Sequence, residues 1–321
     1  MFPFLTSLRA GRLAASLSFA ALAACAGEPA ATGGTDAIAT DGIADFATSG
    51  DAGADVSGPS EGSFVALTYN VHGLPASITG DDTGARITAI APKLAPFDVV
   101  GLQESFIAKN QGVIDDANDH AYKAAFGAKV SDEKVYGSGL AWLLRLPVET
   151  AANEHYGTCN GLFDAASDCL ASKGVMMVRL RLGPDPDCTL DVYDTHFEAG
   201  GGSADEAVRT QQVSRVLELF ATQSAGRAVL FMGDTNLKPS DPPDRIELDR
   251  FAAAGLTDAC TAVDCAEPDR IDRFLYRSSD SVTIEAKTWS VAPGFVDGEG
   301  NPLSDHDPIR ATFAWSCKAS K

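Results

Sequence analysis

From Phe64 to Trp315 the chain is punctuated by short apolar runs that end on polar or acidic residues, and this rhythm limits the folds open to it. The runs are FVALTYN (64–70), DVVGLQE (98–104), SGLAWLLR (138–145), GVMMVRLRL (174–182), LDVYDTHF (190–197), AVLFMGD (228–234), IDRFLYR (271–277), VTIEAKTWSV (282–291) and PIRATFAW (308–315). Runs of this length, rich in β-branched and aromatic residues, read as strands. Helical patterns separate some of them. ARITAIAPKLA (85–95) is interrupted by Pro92. SADEAVRTQQVSRVLELFATQ (203–223) has Ser203 and Glu206 in capping-box positions and a Val213, Val216, Leu217, Phe220 stripe. DRIELDRFAAAG (244–255) reads as a short helix stopped by Gly255. Many strands with a few helices predict a layered α/β domain over about 61–318. No internal sequence repeat is visible.

The first sixty residues are of another kind. Arg9 and Arg12 precede an apolar stretch, Leu13 to Ala24, that is too short to span a bilayer. Leu22-Ala23-Ala24-Cys25 resembles a bacterial lipobox, which implies a signal peptide over 1–24 and lipidation of Cys25. Ala26 at the next position implies outer-membrane sorting. From Ala26 to Ser60 the chain is mostly Gly, Ala, Thr, Asp and Ser, with no Lys or Arg and very few large apolar residues, a stretch expected to act as a disordered tether. The expected localisation is therefore export, as an outer-membrane lipoprotein or secreted.

Formal net charge is −19, and 38 acidic against 23 basic residues lie from Glu61 onward, so the acidity belongs to the domain. That balance argues against a broad nucleic-acid surface, which needs Lys and Arg to neutralise phosphate. Apart from Cys25 there are six cysteines. An even number behind an export signal suggests disulfides. Cys159–Cys169, Cys260–Cys265 and Cys188–Cys317 are the simplest of the possible pairings.

Each run delivers a polar group to its tip: Asn70 and then His72, Glu104, His196, Asp234 and Asn236, Asp272, and Asp305 with His306. If the strands stand side by side, these groups converge. Two-residue spacing places Asp234 and Asn236 on one side of an extended strand, although an Asp and an Asn after a strand are more often turn residues. The ordered set TYNVHGLP, GLQE, DTHFEA, GDTN, RIDRF and SDHDP resembles the endonuclease/exonuclease/phosphatase superfamily over essentially all of Phe64–Trp315. The resemblance implies a four-layer α/β sandwich with two central, mostly antiparallel β-sheets, and metal-dependent hydrolysis of phosphate esters.

Carried over motif by motif, Glu104 would hold Mg²⁺ or another divalent cation, with Asn70 and Asp305 as further metal candidates. Asn70, Asn236 and His196 would contact the phosphate, and Asp234 and Asn236 would orient water. His306 would be the general base, its tautomer set by Asp272, Asp305 or both. Hard oxygen donors suit Mg²⁺, and a carboxylate-paired His suits proton abstraction.

DCLASKGVMMVRL (168–180) narrows the resemblance to the neutral sphingomyelinase branch, whose Asp–Lys pair matches Asp168 and Lys173 as substrate-site residues. GSGLAWLLRLPV (137–148) resembles the same branch. Trp289 and Phe295 would then lie on a lipid-touching hairpin, and Glu198 stands where the family pattern has Gln. The expected partner is a phospholipid membrane, reached by a monomer anchored through Cys25. A deoxyribonuclease acting on nucleic acid is the alternative, and a non-catalytic surface-binding lipoprotein the third reading.

Overall fold

The computed structural model describes residues 59–132, 134–161, 168–267 and 269–318. Cys25, the signal peptide and the tether lie outside the described residues. In chain order the strands are β1 (Glu61–Asn70), β2 (Val99–Gln103), β3 (Tyr122–Ala125), β4 (Ala141–Leu144), β5 (Val148–His155) and β6 (Gly174–Arg181). They continue with β7 (Thr189–His196), β8 (Ala228–Asp234), β9 (Thr257–Asp258), β10 (Asp272–Arg277), β11 (Val282–Val291) and β12 (Ile309–Cys317). The helices are α1 (Ala76–Thr79), α2 (Thr83–Ile90), α3 (Ala108–Asp116), α4 (Ser203–Thr222), α5 (Pro242–Ala253) and α6 (Ala259–Ala262).

The strands form two six-stranded sheets, ordered β11-β12-β1-β2-β4-β3 and β5-β6-β7-β8-β10-β9. Both follow one plan. A single parallel pair sits at the centre, β1–β2 in the first sheet and β7–β8 in the second, and every other pairing is antiparallel. A parallel pair needs a crossover. Segment 71–98, with α1 and α2, supplies the first, and segment 197–227, with α4, supplies the second.

Strand alternation sorts the side chains into layers. Phe64 and Ala66 of β1, Val99 of β2, Leu190 and Val192 of β7, and Leu230 and Met232 of β8 meet in the cluster between the sheets. Leu67, Tyr69, Val100 and Leu102 face the other way, against Ile87, Ile90 and Ile114 of α2 and α3. Tyr193, Val229 and Phe231 pack against Val213, Val216, Phe220 and Phe251 of α4 and α5. The layers run helix, sheet, sheet, helix, as the expected sandwich requires.

The expected elements differ from the observed ones mainly at edges and ends. Pro92 converts the end of α2 into a 3-10 turn, Ala91–Leu94, because it lacks a backbone donor. Helix α4 starts one residue earlier than a Ser203 cap implies: Gly202 is the cap, and its N–H donates to Asp205, not Glu206. Strand β5, VETAANEH, is missing from the sequence reading because most of its side chains are exposed, leaving no apolar alternation. The cysteines pair 159–169, 188–317 and 260–265, with Cα separations of 5.2, 5.5 and 5.0 Å. Among the described residues no helix is long and apolar enough to cross a membrane.

Phe295 corrects one expectation. It is 6% exposed and packs against Tyr69 and Phe97. Trp289 is partly buried against the inter-sheet cluster, beneath the Arg270 guanidinium. Both rings are committed to packing, so they do not form an exposed lipid-touching tip.

Candidate active site

The layer between the sheets is apolar along most of its length and turns polar at one end. There the alternation that buries Phe64 and Ala66 continues to Thr68 and Asn70, and the alternation that buries Leu190 and Val192 continues to Asp194 and His196. In register, Asn70 pairs with Gln103, the residue before Glu104, and His196 pairs with Asp234, which in turn pairs with Asp272. The two parallel pairs thus bring their carboxyl ends to one place, and the loop before β12 adds Ser304, Asp305 and His306.

Asp234 is the hub. Its carboxylate is 1% exposed. Its Oδ2 accepts from Asn70 Nδ2 at 3.1 Å and lies 3.4 Å from His196 Nε2 and 3.6 Å from His306 Nε2. Burial alone would raise its pKa, but the charges of His196 and His306, the Asn70 hydrogen bond and the charge of Lys173 outweigh burial and hold it below the usual carboxylate range.

His306 Nδ1 bonds Asp272 Oδ2 at 2.8 Å. The sequence left open whether Asp272, Asp305 or both orient His306; the bond belongs to Asp272. Asp305 turns instead toward His72, with Oδ1 3.3 Å from His72 Nδ1. Asp272 is pushed up to about 6 by burial first and by the charge of Asp234 second. For His306 burial works downward, but the Asp272 hydrogen bond and the charges of Asp272, Asp234 and Asp305 together raise it to about 10. Asp234, Asp272 and His306 offer ligand atoms within 4.8 Å of one another. With His306 Nδ1 bonded to Asp272, however, that group is chemically a carboxylate-held base beside a second carboxylate.

Glu104 fits a hard cation better. Asn70 Nδ2 donates to its Oε1 at 3.0 Å, but its Oε2 is buried and accepts no hydrogen bond. A buried, bare carboxylate oxygen is costly, and a divalent cation is the kind of group that would satisfy it. Asn70 bonds only the other oxygen, Oε1, and Asp305 approaches through the shared neighbour His72, whose Nδ1 is 3.9 Å from Glu104 Oε2.

Backbone geometry explains how these groups reach their places. His72, Glu104 and Asn236 have φ of 48°, 58° and 50°, a left-handed conformation uncommon for residues other than glycine. Such strain tends to collect at functional sites. Asn236 therefore does not continue the strand face of Asp234. Its N–H donates to Asp234 Oδ1 at 3.1 Å and its Nδ2 to the Phe197 carbonyl at 3.1 Å, so it is a turn residue and a site residue at once. Gly73 passes so close to Glu104 that an added Cβ would meet the Glu104 carbonyl at 2.3 Å. Arg86 clamps the same corner from α2, donating to the carbonyls of Val71, His72 and Leu303 at 3.2, 2.7 and 3.0 Å.

His72 follows Asn70-Val71 in the TYNVHGLP motif, and nothing in that motif shows that it faces Glu104 and Asp305. Lys173 is buried, and its Nζ donates to the Phe197 carbonyl at 2.5 Å, the same oxygen that holds Asn236. Asp168 begins a 3-10 turn, Asp168–Leu170, and its side chain lies outside the described atoms. Glu198 is fully buried and accepts from the Asn160 N–H at 2.6 Å, which ties the loop of the Cys159–Cys169 disulfide to the end of β7.

Known proteins resemble this chain in sequence and in fold. The model of the Endonuclease/Exonuclease/phosphatase family matches residues 67–306. A sphingomyelinase of Mycobacterium tuberculosis is 30% identical over 279 residues, covering 78% of this chain and 53% of that protein. Sphingomyelin phosphodiesterase 2 of Rattus norvegicus is 27% identical over 209 residues, covering 56% of this chain and 48% of that protein. The chain thus spans about half the length of these two relatives. Among solved structures, the fold is similar to sphingomyelinase C from Streptomyces griseocarneus, with a TM-score of 0.58 at 18% identity over 78% of this chain and 99% of that one. It is also similar to a Staphylococcus aureus beta toxin mutant with bound magnesium ions, with a TM-score of 0.59 at 15% identity over 80% and 100% of the two chains. With six ordered motifs at the rim of two facing sheets and a family match over most of its length, the chain belongs to the endonuclease/exonuclease/phosphatase family.

Proposed function

We propose that the protein is a divalent-cation-dependent phosphodiesterase that releases the headgroup of a sphingomyelin-type phospholipid. The observation that carries this reading is the Asp272–His306–Asp234 chain set opposite the bare Glu104 oxygen. In the proposed reaction, a water held between Asp234 and His306 attacks phosphorus, and its proton passes to His306 Nε2. Asp272, bonded to Nδ1, stabilises the imidazolium that forms. His196 and Asn236 donate to the phosphoryl oxygens as negative charge builds there. When bound, a divalent cation supplies charge neutralisation at the phosphate and offsets the carboxylate field that otherwise favours protonated His306. With sphingomyelin the P–O bond to the ceramide oxygen breaks, that oxygen takes up a proton from solvent, and the products are phosphocholine and ceramide.

The relatives named for sphingomyelin support the choice of substrate. So does the acidic domain, which disfavours extended contact with DNA. In this reading the lipidated Cys25 and its tether hold the domain near a bilayer. The test assays the protein on sphingomyelin vesicles and on plasmid DNA side by side, with Mg²⁺ and then with EDTA. Phosphocholine release that stops in EDTA and returns with Mg²⁺ supports the proposal. Nicked plasmid without phosphocholine replaces it with the nuclease reading, and turnover in EDTA removes the cation from the mechanism.

A further inference from the structure

Directly beneath the site, one polar layer separates it from the apolar slot between the sheets. Asp194 of β7 is fully buried, and its Oδ1 accepts from Gln103 Nε2 of β2 at 2.6 Å, across the gap between the two sheets. Gln103 is also fully buried, and its Nε2 lies 3.1 Å from Thr68 Oγ1 of β1. Thr68, Gln103 and Asp194 stand two, one and two residues before Asn70, Glu104 and His196. Room for the carboxyl comes from Gly101, where a Cβ would meet Asp194 at 2.9 Å. This carboxyl stands at no strand tip, and the proposed reaction does not use it.

We propose that Asp194 and Gln103 form a pin that fixes the register of one sheet against the other, making Asp194 a positioning residue for the site above it. The packed side chains below attract without strong direction, so they resist separation of the sheets better than sliding. A hydrogen bond is directional and weakens steeply with misalignment. The site needs that direction, because Glu104 belongs to one sheet and Asp234 to the other, while Asn70 must reach both at 3.0 and 3.1 Å. Burial pushes the Asp194 carboxyl well above its usual range, although the Gln103 bond opposes this. In the pin the Asp194 oxygen accepts the Gln103 N–H, which an amide oxygen also does, so Asn is its conservative replacement. The 2.6 Å spacing also suits an O–H on Asp194 donating to the amide oxygen of a turned Gln103.

The effect on cation binding rests on the proposed function, so the experiment has a second, independent readout. Mg²⁺ affinity of the full chain is measured by calorimetry for the parent, Asp194→Asn, Asp194→Leu, Gln103→Leu and the double Leu variant. Amide hydrogen exchange is followed over 66–72, 100–106 and 192–197. Each single Leu variant is expected to weaken Mg²⁺ binding on the order of ten-fold and to speed exchange in those segments while β11 and β12 keep their protection. The double variant should be no worse than either single one, because both break one contact, and Asp194→Asn should match the parent. Additive losses, an Asn variant as damaged as the Leu variant, or Leu variants that lose melting temperature without change in affinity or local exchange would overturn the pin. A parent that binds no Mg²⁺ would sink the catalytic reading alone, leaving the exchange pattern to decide the pin. If the Leu variants do not fold, Gln103→Met and Asp194→Asn are compared by the same two readouts, and equal behaviour would count against the proposal.

Discussion

The carboxyl ends of β1 and β2, and those of β7 and β8 with the amino end of β10, build the two halves of the site by different means. On the first side the groups are placed by unusual backbone: Glu104 and His72 are both left-handed, Gly73 makes the close approach possible, and Arg86 ties the loops together. On the second side Asp234 and Asp272 are the last and first residues of ordinary antiparallel partners, placed by register alone. Electrostatics differ in the same way. Glu104 has an unsatisfied oxygen suited to a cation, whereas Asp272 and Asp234 are engaged with His306, His196 and Asn70. In the proposed reaction the Glu104 side would hold the cation, while Asp234, Asp272 and His196 of the second sheet, with His306 from the loop before β12, would handle protons and phosphate. Two copies of one topology can serve both purposes because their last residues differ.

That division can be broken by mutation. His306→Asn should have the largest effect, lowering kcat by about 10²–10⁴-fold with Mg²⁺ affinity nearly unchanged; a large loss of affinity would show that the halves are not separate. Glu104→Gln should raise the Mg²⁺ concentration needed for half-maximal activity on the order of 100-fold, with turnover partly restored at high Mg²⁺. A pure kcat defect there would remove Glu104 from cation binding. Gly73→Ala should act on the first half only, pushing Glu104 aside and weakening Mg²⁺ about ten-fold in titrations, because its Cβ would meet backbone, not a movable side chain.

The smallest effect is on stability. His306 has a pKa raised to about 10 in the folded protein against an ordinary value of 6.5. Its contribution is therefore fully present below pH 6.5 and is lost as pH rises through 10. Urea unfolding of the cation-free protein should show stability falling across that window, and His306→Asn should remove most of the slope. An unchanged slope would mean that another group carries it.

How much of this was legible in the chain varies by residue. Strands with one apolar face announced themselves, and so did the polar residues at their tips. Strand β5 did not, because an exposed edge strand such as VETAANEH has no apolar face to show. The choice between Asp272 and Asp305 as the partner of His306 was also illegible, since both are acids at plausible distances along the chain. So was the burial of Phe295, whose neighbours Tyr69 and Phe97 come from far upstream.

Local chemistry alone determined which segments extend, which turn, and which kinds of group stand at the strand ends, because alternation and turn preference act over a few residues. Tertiary structure decided which of those groups meet. Asn70 touches Asp234 across 164 positions of sequence, and Gln103 touches Asp194 across 91. Contacts of that span depend on how two sheets stack and register, which no short window of sequence encodes.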